Sequence, residues 1–416
     1  MGCHVVAMPY PGRGHINPMM FSRKDNILIS FVVTEEWLGF LSSETKPAQI
    51  RYATIPNVTP SEMGRGADFA NFVEAMRTKL EDPFERLLNR LEPPRPSIII
   101  YDISLPWAVG VGERWTIPVA ALWTLPASVF SVYHHFDLLL QNSHFPANVS
   151  ADLPTIFYGA LRNVLHLAVE AISMVPNAQY FLLTSIYELE SHTIDTLKQT
   201  IPIPIYSIGP AIPYFKLGDN ENLSNNFYMQ WLDSQPKASV LYISQGSFLS
   251  VSAAQMDEII AGVHDSRNRI FWVARDEASQ IKEAGCGDNG LVVSWCDQLN
   301  VLCHPSVGGF WSHCGWNSIK EGIFAGLLFL TYPMFLDQVP NSKTVVEDWK
   351  IGWKVRRGMG DEMHLRFMDS ETDEGKEMRR RAAELKETCR QATSVGGSAE
   401  TNIDAFIKDI SQSHDH

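Results

Sequence analysis

Positive charge is in short supply in this sequence. Against 47 Asp and Glu there are 34 Lys and Arg, leaving a formal net charge of -13. Nucleic acids and anionic membrane surfaces repel such a chain, which excludes both as main partners and leaves room only for a local phosphate pocket. Cysteines are few and unpaired in pattern: Cys3, Cys286, Cys296, Cys303, Cys314 and Cys389 form no CxxC pair. That spread suits free thiols in a reducing compartment and excludes a disulfide framework. No apolar run is long enough for a membrane span. The longest uncharged stretch, Thr116 to Tyr133, is interrupted by Pro118 and Pro126, and Thr124-Leu125-Pro126 reads as a helix start after a strand. The opening MGCHVVAMPY has no basic segment ahead of an apolar one, so no signal peptide is expected, and Val6 argues against myristoylation. The expected location is the cytoplasm. No short-period repeat and no low-complexity tract occur. The tail SHDH (413–416) reads as a solvated terminus in preference to a metal ligand set.

What is present is an alternation. With 416 residues, 45% of them hydrophobic and 19% charged, the chain is an ordinary globular protein too long for one core. Short apolar runs at 4–8, 27–33, 97–101, 119–123, 180–185, 239–244 and 270–274 read as strands buried on both faces. Helical patterns lie between them, at 67–92, 253–266, 317–325 and 375–393. Strand–helix alternation of this kind gives doubly wound α/β layers. The segment 208–228, rich in Gly, Pro, Asn and Asp, reads as a linker. The expected organisation is therefore a domain over 1–207, a linker, a second domain over 229–395 and a C-terminal helix over 396–416 that packs back on the first domain. In two facing Rossmann-like domains, ligands are expected between the carboxyl ends of the strands.

The most informative stretch is the 44 residues from Trp295 to Gln338, WCDQLNVLCHPSVGGFWSHCGWNSIKEGIFAGLLFLTYPMFLDQ. Val307 to Trp311 reads as a strand, Ser312 to Gly315 as a tight turn, and Asn317 onward as a helix. Free N–H groups at such a helix start bind phosphate, helped by the helix dipole. Asn317 and Ser318 add side-chain donors, and His313 stands just before the turn. A second strand then leads to Asp337 and Gln338, a carboxylate beside an amide, able to read vicinal sugar hydroxyls. Trp295 has an indole that can stack on a planar base. Trp311, Met334 and Phe335 read as core.

This stretch resembles the signature box of plant family 1 UDP-dependent glycosyltransferases, and the chain as a whole resembles the eighty-seven-like subgroup of that family. The resemblance implies a GT-B fold, with an acceptor-binding first domain and a UDP-sugar-binding second one. It implies that Trp295 stacks on uracil, that Cys296 (through its main chain) and Gln298 contact base and ribose, and that Glu321 holds the ribose hydroxyls. His313, Asn317 and Ser318 would bind the diphosphate, and Trp316, Asp337 and Gln338 the hexose, with Gln338 associated with glucose. The chain departs from the family at Gly326-Leu327-Leu328, where relatives carry Gly-Val-Pro.

The first strand leads into Pro9-Tyr10-Pro11-Gly12-Arg13-Gly14-His15. A histidine in a Gly-rich turn at a strand's carboxyl end suits a general base. Asp102 ends another strand, where it can orient an imidazole or cap a helix. The same family resemblance implies that His15 is the base and Asp102 its partner, that Thr124 touches the sugar, and that Ser247 lies near the phosphates. It implies inverting transfer, without metal, of glucose to a small plant secondary metabolite such as a flavonoid, or to a hormone, by a monomer. The absence of a DxD motif points the same way on metal. Two other readings stand beside this one. Gly12-x-Gly14-x-x-Asn17, with Glu35 further on, partly imitates a dinucleotide fingerprint of an NAD(P)-dependent oxidoreductase, though its third Gly is missing. The chain also looks short after Met20, over 143–156 and over 356–367, as a catalytically impaired relative that binds UDP-sugar would.

Overall fold

The computed structural model describes residues 3–20, 27–42, 46–62, 69–142, 161–214, 217, 226–246, 253–266, 268–274, 281, 290–334, 337–355 and 372–412. The chain divides into two compact units, Met1–Ile212 with Gln391–His416, and Pro213–Arg390.

The first unit is built on seven parallel strands: β1 (Cys3–Met8), β2 (Ile27–Thr34), β3 (Ile50–Ile55), β4 (Ile98–Asp102), β5 (Val119–Trp123), β6 (Tyr180–Leu183) and β7 (Ile205–Ser207). Their order across the sheet is β3-β2-β1-β4-β5-β6-β7. Successive side chains point to opposite faces, and both faces are covered. Val6, Ile99, Ala121 and Phe181 pack on one side with Phe72, Phe84 and Phe130 from helices. Val5, Ile100, Leu122 and Leu182 pack on the other. On that second side lies the C-terminal helix Ser398–Gln412. Its Phe406 ring sits 5.5 Å from both Tyr180 and Tyr206, and Tyr206 donates its hydroxyl to Asp409. Burying such a ring contributes roughly 1.5–3 kcal/mol toward holding the helix on the sheet.

The second unit has six parallel strands, β8 (Val240–Ser244), β9 (Arg269–Val273), β10 (Gly290–Val293), β11 (Val307–Ser312), β12 (Leu328–Thr331) and β13 (Gly352–Lys354), in the order β10-β9-β8-β11-β12-β13. In both sheets the order runs outward in one direction and then jumps back. The jump opens a crevice at the carboxyl ends of the two strands that flank it, β1 and β4 in one unit and β8 and β11 in the other. Every candidate residue described below follows one of those strands or a near neighbour.

Candidate active site

In the first unit, β1 ends at Met8 and the chain turns into the helix Arg13–Met19, so His15 lies in a first helical turn rather than in the turn the sequence suggests. The Gly12 carbonyl accepts from the His15 and Ile16 N–H groups, both at 2.9 Å. Asp102 is the last residue of β4, and Thr124 follows β5. Because β1, β4 and β5 are parallel neighbours, these three positions share one rim. His15 Nδ1 is 2.6 Å from Asp102 Oδ2 and 3.2 Å from Thr124 Oγ1. The other Asp102 oxygen accepts from the Ser104 N–H at 2.9 Å, while the following helix Trp107–Trp115 starts from Pro106. Asp102 is therefore an orienting group and a turn former, and it does not cap that helix. Its side chain is 3% exposed, against 28% for His15. A buried carboxylate on Nδ1 fixes the tautomer and leaves Nε2 as the nitrogen with the lone pair. The Tyr10 ring packs on His15 at 4.9 Å between centroids and on Phe72 at 5.9 Å.

In the second unit, β11 ends at Ser312 and the helix Trp316–Ala325 begins after Gly315, which offers no side-chain cap. The first intrahelical bond runs from Ile319 N–H to Gly315 O, so the N–H groups of Trp316, Asn317 and Ser318 precede the hydrogen-bonded ladder. Cys314 takes φ +67, a left-handed conformation rare for a residue with Cβ, and its N–H is held by Ser312 Oγ at 3.0 Å. His313 is fitted between two glycines. A Cβ at Gly246 would lie 2.7 Å from its Nε2, and one at Gly315 would lie 2.5 Å away, so neither position tolerates a side chain. Burial pushes the His313 imidazole down to about 4, with the Ser244 backbone offsetting this only in part. It is a neutral ring at neutral pH. The Trp316 indole N–H is buried with no hydrogen-bond partner among the described residues.

A second cluster links the loop after β10 to the same helix. Gln298 opens the helix Gln298–Leu302, which Asp297 caps. Its Nε2 donates to Glu321 Oε2 at 2.6 Å and to Ser318 Oγ at 3.1 Å, while Tyr242 Oη donates to its Oε1 at 3.1 Å. Cys296 is buried beside Tyr242, 3.5 Å from its hydroxyl. Trp295 is 54% exposed, an unusual state for the largest side chain. After β12, Asp337 and Gln338 start the helix Gln338–Lys343. Asp337 Oδ2 accepts from Asn341 at 2.6 Å, and Gln338 Oε1 accepts from the Met334 N–H at 2.7 Å. The Leu327 N–H closes the helix Trp316–Ala325 onto Gly322 O at 3.0 Å, so the Leu327-Leu328 departure leaves that ending intact.

A family model described as UDP-glucoronosyl and UDP-glucosyl transferase matches residues 213–362. Across 99% of its length the chain is 47% identical to UDP-glycosyltransferase 87A2 of Arabidopsis thaliana, covering 97% of that protein. Across 97% it is likewise 47% identical to UDP-glycosyltransferase 87A1 of the same plant, covering all of it. The chain belongs to the plant family 1 UDP-glycosyltransferases. Within that family it is of the subgroup-87 kind, and it is a glycosyltransferase. This membership removes the oxidoreductase reading of Gly12 to Asn17. The structure of Phytolacca americana UGT2, solved with UDP-2fluoro-glucose and pterostilbene, matches with a TM-score of 0.82 at 24% identity, covering 99% of this chain and all of that one. The fold is GT-B.

Family 1 glycosyltransferases of this kind use a UDP-sugar, and the residues that the sequence assigned to it fall into the groups just described. His15, Asp102 and Thr124 meet in the first unit. Gln298, Ser318 and Glu321 meet in the second, beside the buried Cys296. His313, Trp316 and Asn317 surround one helix start, and Asp337 and Gln338 open another. Ser247, Phe335 and the SHDH tail lie outside the described residues, as do residues 21–26, 143–156 and 356–367, which hold the three short places. The alignment with 87A2 runs over 444 positions against 416 residues, so at least 28 positions are gaps in this chain. Among the described residues no helix is long and apolar enough to cross a membrane. Sequence reasoning missed Tyr10, Tyr242 and Asn341. Tyr242 is hidden in an apolar strand run, and Asn341 lies three residues beyond the cassette, four after Asp337, a spacing that places both on one helix face.

Proposed function

We propose that this glycosyltransferase moves glucose from UDP-glucose to a hydroxyl or carboxyl of a small secondary metabolite or hormone, flavonoids included, with inversion at the anomeric carbon. The observation that carries the catalytic part is the 2.6 Å contact between His15 Nδ1 and the buried Asp102. In this reading, His15 Nε2 takes the proton of the acceptor hydroxyl. The freed oxygen attacks the anomeric carbon as the bond to the β-phosphate oxygen breaks, and UDP leaves with the electron pair. Asp102 stabilises the imidazolium that forms, as in other His–Asp pairs. Thr124, within reach of His15, touches the sugar.

On the donor side, Trp295 stacks on the uracil, with Cys296 and Gln298 on base and ribose and Glu321 on the ribose hydroxyls. His313, Asn317, Ser318 and Ser247 take the diphosphate. The neutral His313 ring serves as an N–H donor, which adds to the helix start without introducing a buried charge, and such preorganised donors stabilise the leaving group. Trp316, Asp337 and Gln338 take the hexose, and the orphan indole N–H of Trp316 supports this. Gln338 supports glucose. No metal takes part, and the protein works as a monomer in the cytoplasm.

The test is a mass-spectrometric screen of UDP-glucose against a panel of hydroxylated metabolites. A mass gain of one hexose on at least one acceptor, lost in His15→Ala, is expected. The gaps relative to 87A2 favour a second reading, a UDP-sugar binder that does not transfer. Calorimetric UDP binding with no product on any acceptor would select it.

A further inference from the structure

We propose that Asn341 is a positioning residue that locks the diphosphate loop to the hexose-reading carboxylate, so that the two ends of the donor are recognised as one unit. This rests on the donor-site reading above and adds to it a residue outside the cassette.

Asn341 is buried at 2% exposure. Its backbone N–H is satisfied by Asp337 O at 2.9 Å, so its side chain is free for other work. The Nδ2 group carries two hydrogens, and two acceptors meet it: Cys314 O at 3.0 Å and Asp337 Oδ2 at 2.6 Å. The opposite amide orientation would set Oδ1 against a carbonyl and a carboxylate, both of which only accept, so the chemistry of the neighbours fixes which way the amide points. One side chain therefore ties the turn after β11 to the start of the helix after β12.

The Cys314 end of this tie is the conformationally costly one. At φ +67, Cys314 is held from its N–H by Ser312 Oγ and from its carbonyl by Asn341. In a trans peptide the C=O and the next N–H point in opposite directions. Drawing the Cys314 carbonyl toward Asn341 thus aims the Gly315 N–H away from it, and Gly315 leads into the helix start that is the proposed phosphate site. The Asp337 end fixes one oxygen of a carboxylate, which sets where its other oxygen can meet a sugar hydroxyl. Losing the tie releases both the strained turn and the carboxylate.

Calorimetry with UDP and with UDP-glucose on folded variants, checked by thermal melting, tests this. Asp337→Ala is expected to weaken UDP-glucose but leave UDP affinity within about threefold, because UDP has no hexose. Asn341→Ala is expected to weaken both, UDP by about fivefold or more, as removal of the neutral hydrogen bond to the Cys314 carbonyl does. The isosteric Asn341→Asp places a second carboxyl against Asp337 and the Cys314 carbonyl. Its UDP affinity, as a ratio to wild type, should fall at about pH 8 and recover in part by about pH 5.5 as the carboxyl pair takes up a shared proton. The same ratio in Asn341→Ala should stay flat. A packing role alone would not give that pH response. Asn341→Ala with UDP affinity within threefold of wild type, or a flat ratio in Asn341→Asp, overturns the tie while the donor site stands. Wild-type protein that takes up no UDP overturns the donor-site reading and the tie with it.

Discussion

The two units each place a histidine at the strand-order jump, on opposite sides of it, and put the two rings in different environments. In the first, His15 follows β1 at the β1/β4 jump, keeps 28% of its side chain exposed and rests on a carboxylate. In the second, His313 follows β11 at the β8/β11 jump, lies against two glycines and is pushed down to about 4 by desolvation. One ring has solvent access and an anionic partner to steady a gained proton. The other is also partly exposed but has no carboxylate partner among the described residues, and contributes as a neutral donor. Strand order fixes where an imidazole stands, while the groups packed around it decide what it can do.

Removing the first ring should break the comparison most visibly. His15→Ala is expected to lower kcat by about 10²–10⁴-fold, the span of a lost general base, while the calorimetric Kd for UDP stays within about twofold. Parallel loss of rate and UDP affinity would mean that the division of labour between the units is wrong.

The lowered His313 pKa predicts a stability effect. Unfolded, His313 takes up its proton near 6.5; folded, it does so at about 4. The unfolded state therefore binds the proton first as pH falls. Stability from this site is intact above pH 6.5 and declines as pH drops from there toward 4. Over that window the loss is on the order of 3 kcal/mol. Denaturant unfolding of wild type and His313→Gln, both without ligand, should differ by that much in pH dependence, with wild type the steeper. His4, whose pKa burial also lowers, is common to both proteins and cancels in the difference. Equal slopes would place His313 in a more hydrated setting than the glycines imply.

How far each site was legible follows from how it is built. Apart from Thr124 and Ser247, the proposed donor residues lie within 44 consecutive positions, where strand, turn and helix chemistry can be read in order. His15 and Asp102 are 87 positions apart, and Thr124 is 109 from His15, so only the parallel-sheet argument joins them. Strands with continuous apolar runs were visible as strands. β3, with exposed Arg51 amid half-buried neighbours, and the three-residue edges β7 and β13 carry too little hydrophobic signal to stand out. The helical pattern over 67–92 is two helices, Phe69–Thr78 and Glu81–Leu88, because the chain breaks at Lys79-Leu80 and restarts with acidic residues in the first turn. Asn341 and Tyr242 escaped for a different reason. Each acts through a hydrogen bond to another side chain, and no local sequence pattern announces such a partner.

Glu321→Ala sharpens the donor half of the comparison. It removes the carboxylate that anchors Gln298, so affinity for UDP and UDP-glucose should fall about 10- to 100-fold. The shape of the pH–rate profile, which belongs to the other unit, should not change. A shifted profile would tie Glu321 to proton transfer instead.

The smallest expected effect tests how the donor cluster is oriented. Tyr242 is fully buried on β8, where burial holds its phenol far above the ordinary value, so it remains a donor throughout the working range. That proton goes to Gln298 Oε1, and the carboxylate of Glu321 claims Nε2 on the other side. The amide is thus held from both ends, and its orientation keeps two acceptors from facing each other. Tyr242→Phe preserves the ring and its stacking on Phe271 but removes one neutral hydrogen bond. Such a bond is worth about 1 kcal/mol, or roughly a fivefold loss of UDP affinity. In a Gln298→Ala background the same substitution should cost nothing, since the hydroxyl then has no amide to hold. A fivefold loss that persists in that background would show that Tyr242 acts through packing, and the donor cluster would then owe its orientation to Glu321 alone.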